Sequence, residues 1–288
     1  MAGPAHEAFA GGAAVITGAA SGIGEGLARE AAALGMCVVL ADIAGERLEK
    51  VAADITAAGG KALPVLTDVA DPTALDRLAD RAYAAFGSIR MLVNNAGIET
   101  VVYSWELPIE RWEQTLNVNI HGVVHDVRAF APRMLADAAP AYIANVASIG
   151  GLGVMPLQTS YILSKHAVIA FSECLYLEMQ LQKKPVNVSV VVPGPVATRI
   201  FADATASEAG ASAGSATAHR GIMRRMLSQS GLPPRDAARL ILNGIAAQRF
   251  WVSTHPEITA HMAKARAEHL ASLATPTLSD ETRQLLAT

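Results

Sequence analysis

Short, near-continuous apolar runs alternate along the chain with longer stretches whose apolar residues return every three or four positions. The runs at 13–17, 37–41, 61–66, 89–93, 142–147, 186–192 and 249–253 have strand length and strand composition. Between them, 25–34, 45–58, 72–86, 105–116 (continuing through 138), 157–182 and 234–248 read as helices. Asp71 and Gly87 punctuate the two ends of the 72–86 helix. Strict alternation of strand and helix predicts a doubly wound α/β fold. It has seven strands, mostly parallel, helices on both faces, and a ligand at the carboxyl ends of the strands.

Two stretches depart from the alternation, within what reads as a single domain over 1–288. Residues 199–232 become rich in Ala, Ser, Gly and Thr before Arg224 and Arg225. They read as a mobile flap over the site, with a short helix at 219–228. Residues 255–288 read as an extra amphipathic helix at 256–273 followed by a tail.

Composition narrows the class. The chain is 51% hydrophobic and 17% charged over 288 residues, enough to bury a large core. Its net charge is −3 with no block of like charges, which argues against nucleic acid or an anionic membrane as partner. Residues 1–12 lack the pattern of a secretory leader, and no apolar run reaches about 18 residues. Cys37 and Cys174 have apolar neighbours and read as buried packing thiols, consistent with a reducing cytoplasm. His121 and His125 share a helical face without a third ligand nearby, so no metal site is expected.

The candidate chemistry lies at the ends of the predicted strands. Gly18, Ser21, Gly22, Ile23 and Gly24 form a glycine turn between the first strand and the first helix. That context suits a pyrophosphate held by backbone N–H groups at a helix N-terminus. Asp42 ends the second strand, where a carboxylate can accept from a ribose diol and would repel a 2′-phosphate. NAD is therefore expected over NADP; Arg47 lies further on, on a helix. Asp42 can also cap the helix that follows. Asp68 and Val69 end the third strand, where the Asp can meet an adenine amino group. Asn95, Ala96 and Gly97, after Asn94, form a small polar turn with room for a ribose. Pro193 and Gly194, with Val196 and Thr198, form a rigid turn suited to wall a nicotinamide.

The centre of the pattern is Ser148, at the end of the fifth strand, followed by Tyr161 and Lys165. The last two stand four apart on one helical face. A neighbouring ammonium is expected to pull the phenol below its usual value of about 10, so that it trades a proton with an alcohol or carbonyl. Gly150, Val154 and Met155, next to Ser148 and Tyr161, are the expected substrate wall, together with Ile98–Val101, Val196 and the 200–230 flap.

Taken in order, Thr17 to Gly24, Asp68-Val69, Asn94 to Gly97, Asn119, Ser148, Tyr161-x-x-x-Lys165 and Pro193-Gly194 resemble the short-chain dehydrogenase/reductase family over about residues 10–255. The resemblance implies a Rossmann-type fold that binds NAD(P). It implies Tyr161 as general acid/base, Ser148 on the substrate oxygen, and Lys165 tuning the tyrosine and binding the nicotinamide ribose. Asn119 would hold a water beside Lys165, with Asn117 as the fallback. The expected activity is NAD-dependent interconversion of a secondary alcohol and a ketone. The ending resembles members that oxidise bulky, often aromatic alcohols, and a homodimer or homotetramer is implied. Two competing readings are a non-catalytic NAD-binding sensor or scaffold, and epimerisation or dehydration of a nucleotide sugar. About 60 residues after the sixth strand's turn are few for the substrate domain of the latter.

Overall fold

The computed structural model describes residues 4–137, 139–206 and 210–286. Its main sheet contains β1 (Ala13–Thr17), β2 (Cys37–Asp42), β3 (Lys61–Leu66), β4 (Met91–Asn94), β6 (Ala141–Val146), β7 (Val186–Val192) and β9 (Trp251–Ser253). A second, two-stranded sheet pairs β5 (Thr100–Val101) with β8 (Thr205–Ala206). The helices are α1 (Pro4–Phe9), α2 (Gly22–Ala33), α3 (Gly45–Ala57), α4 (Pro72–Phe86), α5 (Ile109–Leu116), α6 (Gly122–Asp137), α7 (Thr159–Gln182), α8 (Ala213–Ser230), α9 (Pro234–Ala246), α10 (Pro256–Ser272) and α11 (Asp280–Leu286). The large sheet runs β3-β2-β1-β4-β6-β7-β9, and every pair in it is parallel. Its order reverses between β1 and β4, which opens a crevice at their carboxyl ends. Pro64, which has no N–H to give, sits on the edge strand β3, where a missing ladder bond is tolerated.

Alternate residues of each central strand feed opposite cores. Ala14 and Ile16, Val38 and Leu40, Met91 and Val93, and Tyr142 and Ala144 face one side, beneath α2, α3 and α9. Ala13 and Val15, Val39 and Ala41, Leu92, and Ile143 face the other, beneath α4, α6 and α7. Each fully buried Leu, Ile or Val contributes about 1.5–3 kcal/mol. Burial on both faces explains why these strands read as continuous apolar runs. Asp71 caps α4 by accepting from Thr73 N (2.9 Å), and Gly87 ends it at φ 74°.

Several expectations need correction. α1 was not foreseen; Phe9 on it is fully buried, edge-on to Tyr142 at 5.3 Å. The helix expected from 105 begins only at Ile109, after Pro108, which cannot continue a helix backwards through its missing N–H. No residue of α10 is fully buried, and the helix rests on the body through Met262 beside Gly153. The tail contains α11, whose Leu286 packs on the cluster that also holds Val101, Leu157 and Phe201. Cys174 is exposed on α7 and Cys37 half-buried, against the expectation that both are buried. Apolar neighbours in sequence misled there, because the outer side of α7 carries Leu177 and Leu181 into solvent as well. Among the described residues no helix is long and apolar enough to cross a membrane.

Candidate active site

The glycine turn is held from behind by β4. Asn95 Nδ2 donates to the carbonyl oxygens of Thr17 (2.9 Å) and Gly18 (3.3 Å), and Asn95 N donates to Thr17 Oγ1 (3.0 Å). Gly18 takes φ +65°, and a Cβ there would stand 2.8 Å from Asn95 Nδ2. A Cβ on Gly24 would lie 2.1 Å from Gly18 O, so only glycine lets the turn close on α2. Ser21 precedes α2 in an extended conformation, and its side chain makes no capping bond. The first N–H groups of α2 are thus left for an anion. Asn95 thus braces this turn while also lining the cleft.

Asp42 is fixed by two backbone donors, Ala20 N (3.0 Å) and Ala44 N (2.9 Å). It shapes the turn before α3 and does not cap the helix, whose N-cap residue is Ala44. Asp68 accepts from Ala70 N (2.9 Å). Gly194 N donates to Thr254 Oγ1 (3.0 Å), and Thr198 packs over Gly22.

Asn119 lies in a π-helical turn, Asn117–His121, between α5 and α6. Such turns are often local departures that aim one side chain. Its amide is clamped in both directions to residue 98: Ile98 N donates to Oδ1 (2.9 Å) and Nδ2 donates to Ile98 O (2.9 Å). Nδ2 also donates to Ser164 Oγ (2.9 Å). Asn117, the fallback, instead pairs with His121 at 2.8 Å, away from these groups. A Cβ on Gly97 would stand 3.4 Å from Lys165 Nζ and 3.5 Å from Asn119 Oδ1, so that glycine keeps the space between them open.

Lys165 is buried, and Nζ donates to Val146 O at 3.0 Å. It lies 5.5 Å from the centre of the Tyr161 ring. The Ser148 hydroxyl lies beside the Tyr161 phenol, and Ser148 Oγ accepts from Gly150 N (3.0 Å). Burial lowers the Lys165 ammonium to about 8, partly offset by the negative charge of Glu99. The Tyr161 phenol moves the other way from expectation. Burial first, and Glu99 second, push it up, and only the neighbouring Ser148 hydroxyl pulls it down. Lowering by a lysine was a surface-pair argument; here desolvation of the phenolate wins.

One cavity of about 740 Å³ joins these parts. It is lined by Gly18, Ser21, Gly22, Ile23, Asp42, Asp68, Val69, Asn95, Ala96 and Gly97 on one side. Ser148, Gly150, Val154, Met155, Tyr161, Lys165, Pro193, Gly194, Val196 and Thr198 line the other. Gly24 and Asn119 stand behind the wall. An extended cleft with a glycine-lined end, a free helix N-terminus and a fixed carboxylate fits a dinucleotide. Arg47 also reaches this cleft, near Asp42.

The expected 98–101 wall does line the cavity through Ile98 and Glu99, but no chemistry was read for Glu99. Glu99 is almost wholly buried, and its carboxylate accepts from Thr100 N (2.9 Å) and Gln158 Nε2 (2.8 Å). Burial pushes this carboxyl well above its ordinary value, while the hydrogen bonds and the Lys165 charge pull it back. A charge two residues past the small turn at 94–97 was a readable signal. Met262 of α10 also lines the cavity, and its Cε would stand 2.9 Å from a Cβ on Gly153. Nothing in the sequence places it there.

The flap segment is more ordered than its composition implied. α8 starts at Ala213, six residues before the expected helix, and β8 pairs with β5. Glu106 accepts from Ala211 N (2.8 Å) and Ser212 N (3.1 Å), just before α8. Residues 207–209 lie outside the described residues.

The short chain dehydrogenase family model matches residues 12–209. The chain is 35% identical over 247 residues to 1-deoxy-11-beta-hydroxypentalenate dehydrogenase of Streptomyces exfoliatus, covering 85% of this chain and 83% of that protein. It is 30% identical over 249 residues to the CLA biosynthesis dehydrogenase/reductase of Lactiplantibacillus plantarum, covering 84% and 87%. Among solved structures, a short-chain dehydrogenase/reductase from Burkholderia phymatum in complex with NAD superposes with a TM-score of 0.89. It is 35% identical, with 94% of this chain and 98% of that chain covered. A metagenomic short-chain oxidoreductase in complex with NADP gives 0.62 at 33% identity, covering 66% and 85%. With its parallel sheet, nicotinamide-dinucleotide cleft and oxidoreductase relatives, the chain belongs to the short-chain dehydrogenase family.

Proposed function

We propose that the protein interconverts a secondary alcohol and a ketone with NAD, using Tyr161 as general acid/base. The observation that carries this reading is the Ser148–Tyr161 hydroxyl pair beside buried Lys165, in the same cavity as the glycine turn. The nicotinamide cofactor, when bound, supplies or accepts the hydride. In ketone reduction, Tyr161 donates its proton to the carbonyl oxygen while Ser148 donates a second hydrogen bond. Both stabilise the charge that grows there. In alcohol oxidation, the same phenol must first lose its proton and then take one from the substrate hydroxyl. Because burial raises the phenol, Tyr161 is the ready acid near neutral pH and becomes a base only at alkaline pH. Lys165 offers its charge to the phenolate and its donors to a cofactor ribose.

The substrate end is apolar, with Val154, Met155, Phe201, Met223 and Met262, which supports a bulky hydrophobic substrate. The Streptomyces relative's name, that of a hydroxypentalenate dehydrogenase, supports a hydroxyl-bearing one. Asp42 supports NAD, since a 2′-phosphate would bring a second anion against a carboxylate already fixed by two donors. The outer side of α7, with Leu177 and Leu181 exposed, supports a homodimer or homotetramer. The test is Tyr161→Phe, assayed for NAD reduction across steroid, aryl and aliphatic secondary alcohols. Loss of turnover by about a hundredfold or more is expected for a removed acid/base. Turnover near that of the wild type overturns the mechanism.

A further inference from the structure

The stretch 98–102 holds an ionisable group with no part in the mechanism above. Glu99 is 3% exposed, lies on the wall of the active cavity, and belongs to a segment stitched to the start of α7. Gln158 Nε2 donates to Glu99 Oε2, the Thr100 and Ser160 hydroxyls meet, and Val102 N donates to Leu157 O (2.8 Å). Three residues beyond Gln158 stands Tyr161. The two described hydrogen bonds at the Glu99 carboxyl come from N–H donors, one on each oxygen. These donors suit an acceptor-only carboxylate and offset part of the cost that burial puts on its charge. The titratable groups whose charges reach it are Lys165 and Tyr161, both on α7.

We propose that Glu99 is a positioning residue whose buried negative charge sets the proton occupancy of the Tyr161–Lys165 pair, and so the pH window in which the enzyme turns over. The proposal rests on the acid/base reading of Tyr161. Once ionised, Glu99 opposes phenolate formation and favours the ammonium. It therefore holds both proton losses at higher pH than the two residues would show without it. Neutralising it moves both limbs of the bell-shaped oxidation profile toward acid, while the chemistry and its acid/base stay the same.

The experiment measures kcat and kcat/KM for alcohol oxidation and ketone reduction from pH 5 to 10.5, in wild type, Glu99→Gln and Glu99→Asp. The expected result is an acid shift of about one pH unit in both limbs for Glu99→Gln, and return toward the wild-type profile for Glu99→Asp. A residue that only holds the fold in place would change amplitude and leave the limbs fixed. Should Glu99→Gln fail to fold, Gln158→Met removes one of the two donors and disfavours the carboxylate. The same direction of shift is then expected. Unmoved limbs in the folded variant overturn the proposal. Tyr161→Phe keeps the two ideas apart. An active Tyr161→Phe removes the mechanism itself, whereas an inactive one beside an unshifted Glu99→Gln removes only the role of Glu99.

Discussion

Asp126 offers a quantitative test of the burial arguments used for the site. It lies on α6 beside Val127 in sequence and within the buried face that also holds Val123 and Phe130. Its side chain is 1% exposed, and neither carboxyl oxygen has a hydrogen-bond partner among the described residues. Burial alone raises it from the ordinary 3.8 to about 8. The sign is opposite to that of a paired surface carboxylate. The folded chain keeps a proton on Asp126 up to about pH 8, while the unfolded chain loses it near pH 4. Between those values the unfolded state binds one proton fewer, so stability falls as pH rises. The slope is about 1.4 kcal/mol per pH unit, which accumulates to roughly 6 kcal/mol across the window and then levels off. Asp126→Asn keeps the shape and removes the titration. Its unfolding free energy, relative to wild type, should climb by that slope from pH 5 to 8, or about 2 °C in Tm for each kcal/mol. Urea unfolding at pH 5, 6, 7 and 8, followed by fluorescence or circular dichroism, measures the difference directly. Every other titrating group is shared by the two proteins and cancels. A gap between variant and wild type that stays constant over this range would refute the burial argument for Asp126.

Four other outcomes are expected. Oxidation at fixed substrate should accelerate about tenfold per pH unit on its acidic side, because the phenolate fraction of raised Tyr161 grows by that factor; a flat rate from pH 6 to 9 contradicts this. Asp42→Ala should lower the NAD-to-NADP ratio of kcat/KM by about tenfold or more through removal of one repelled anion, and an unchanged ratio would show that Asp42 does not read the ribose. Gly24→Ala should abolish NAD binding, monitored by titration calorimetry, because its Cβ would collide with Gly18 O; wild-type affinity would show that the turn need not close on α2. Glu106→Ala should quicken proteolytic cleavage near residues 210–213 by removing the acceptor for Ala211 N and Ser212 N, and equal cleavage rates would rule out Glu106 as the fastener of α8.

The parallel sheet was legible because its strands are sandwiched, so their sequence carries no polar face to blur the pattern. The Tyr161-x-x-x-Lys165 spacing was legible because a single helix enforces it. Features that depend on contacts between distant segments were not. The elevation of Tyr161 comes from burial and from Glu99, 62 positions earlier in the chain. The strand pair β5–β8 has only two residues on each side, too short for periodicity to register. Met262 reaches the cavity from a helix whose every residue is at least partly exposed, so burial patterning was silent about it. Cys174 erred in the other direction: apolar neighbours in sequence are a poor guide to burial when a long helix leaves one side uncovered.

The glycine turn is assembled from pieces far apart along the chain. Asn95 meets Thr17 across 78 residues, after three complete strand–helix–strand crossovers. A nascent chain that has emerged only through β3 therefore has the glycines but lacks their buttress. Dinucleotide capture becomes a late event in folding, and added NAD should protect the finished half-sheet while doing little to speed its formation.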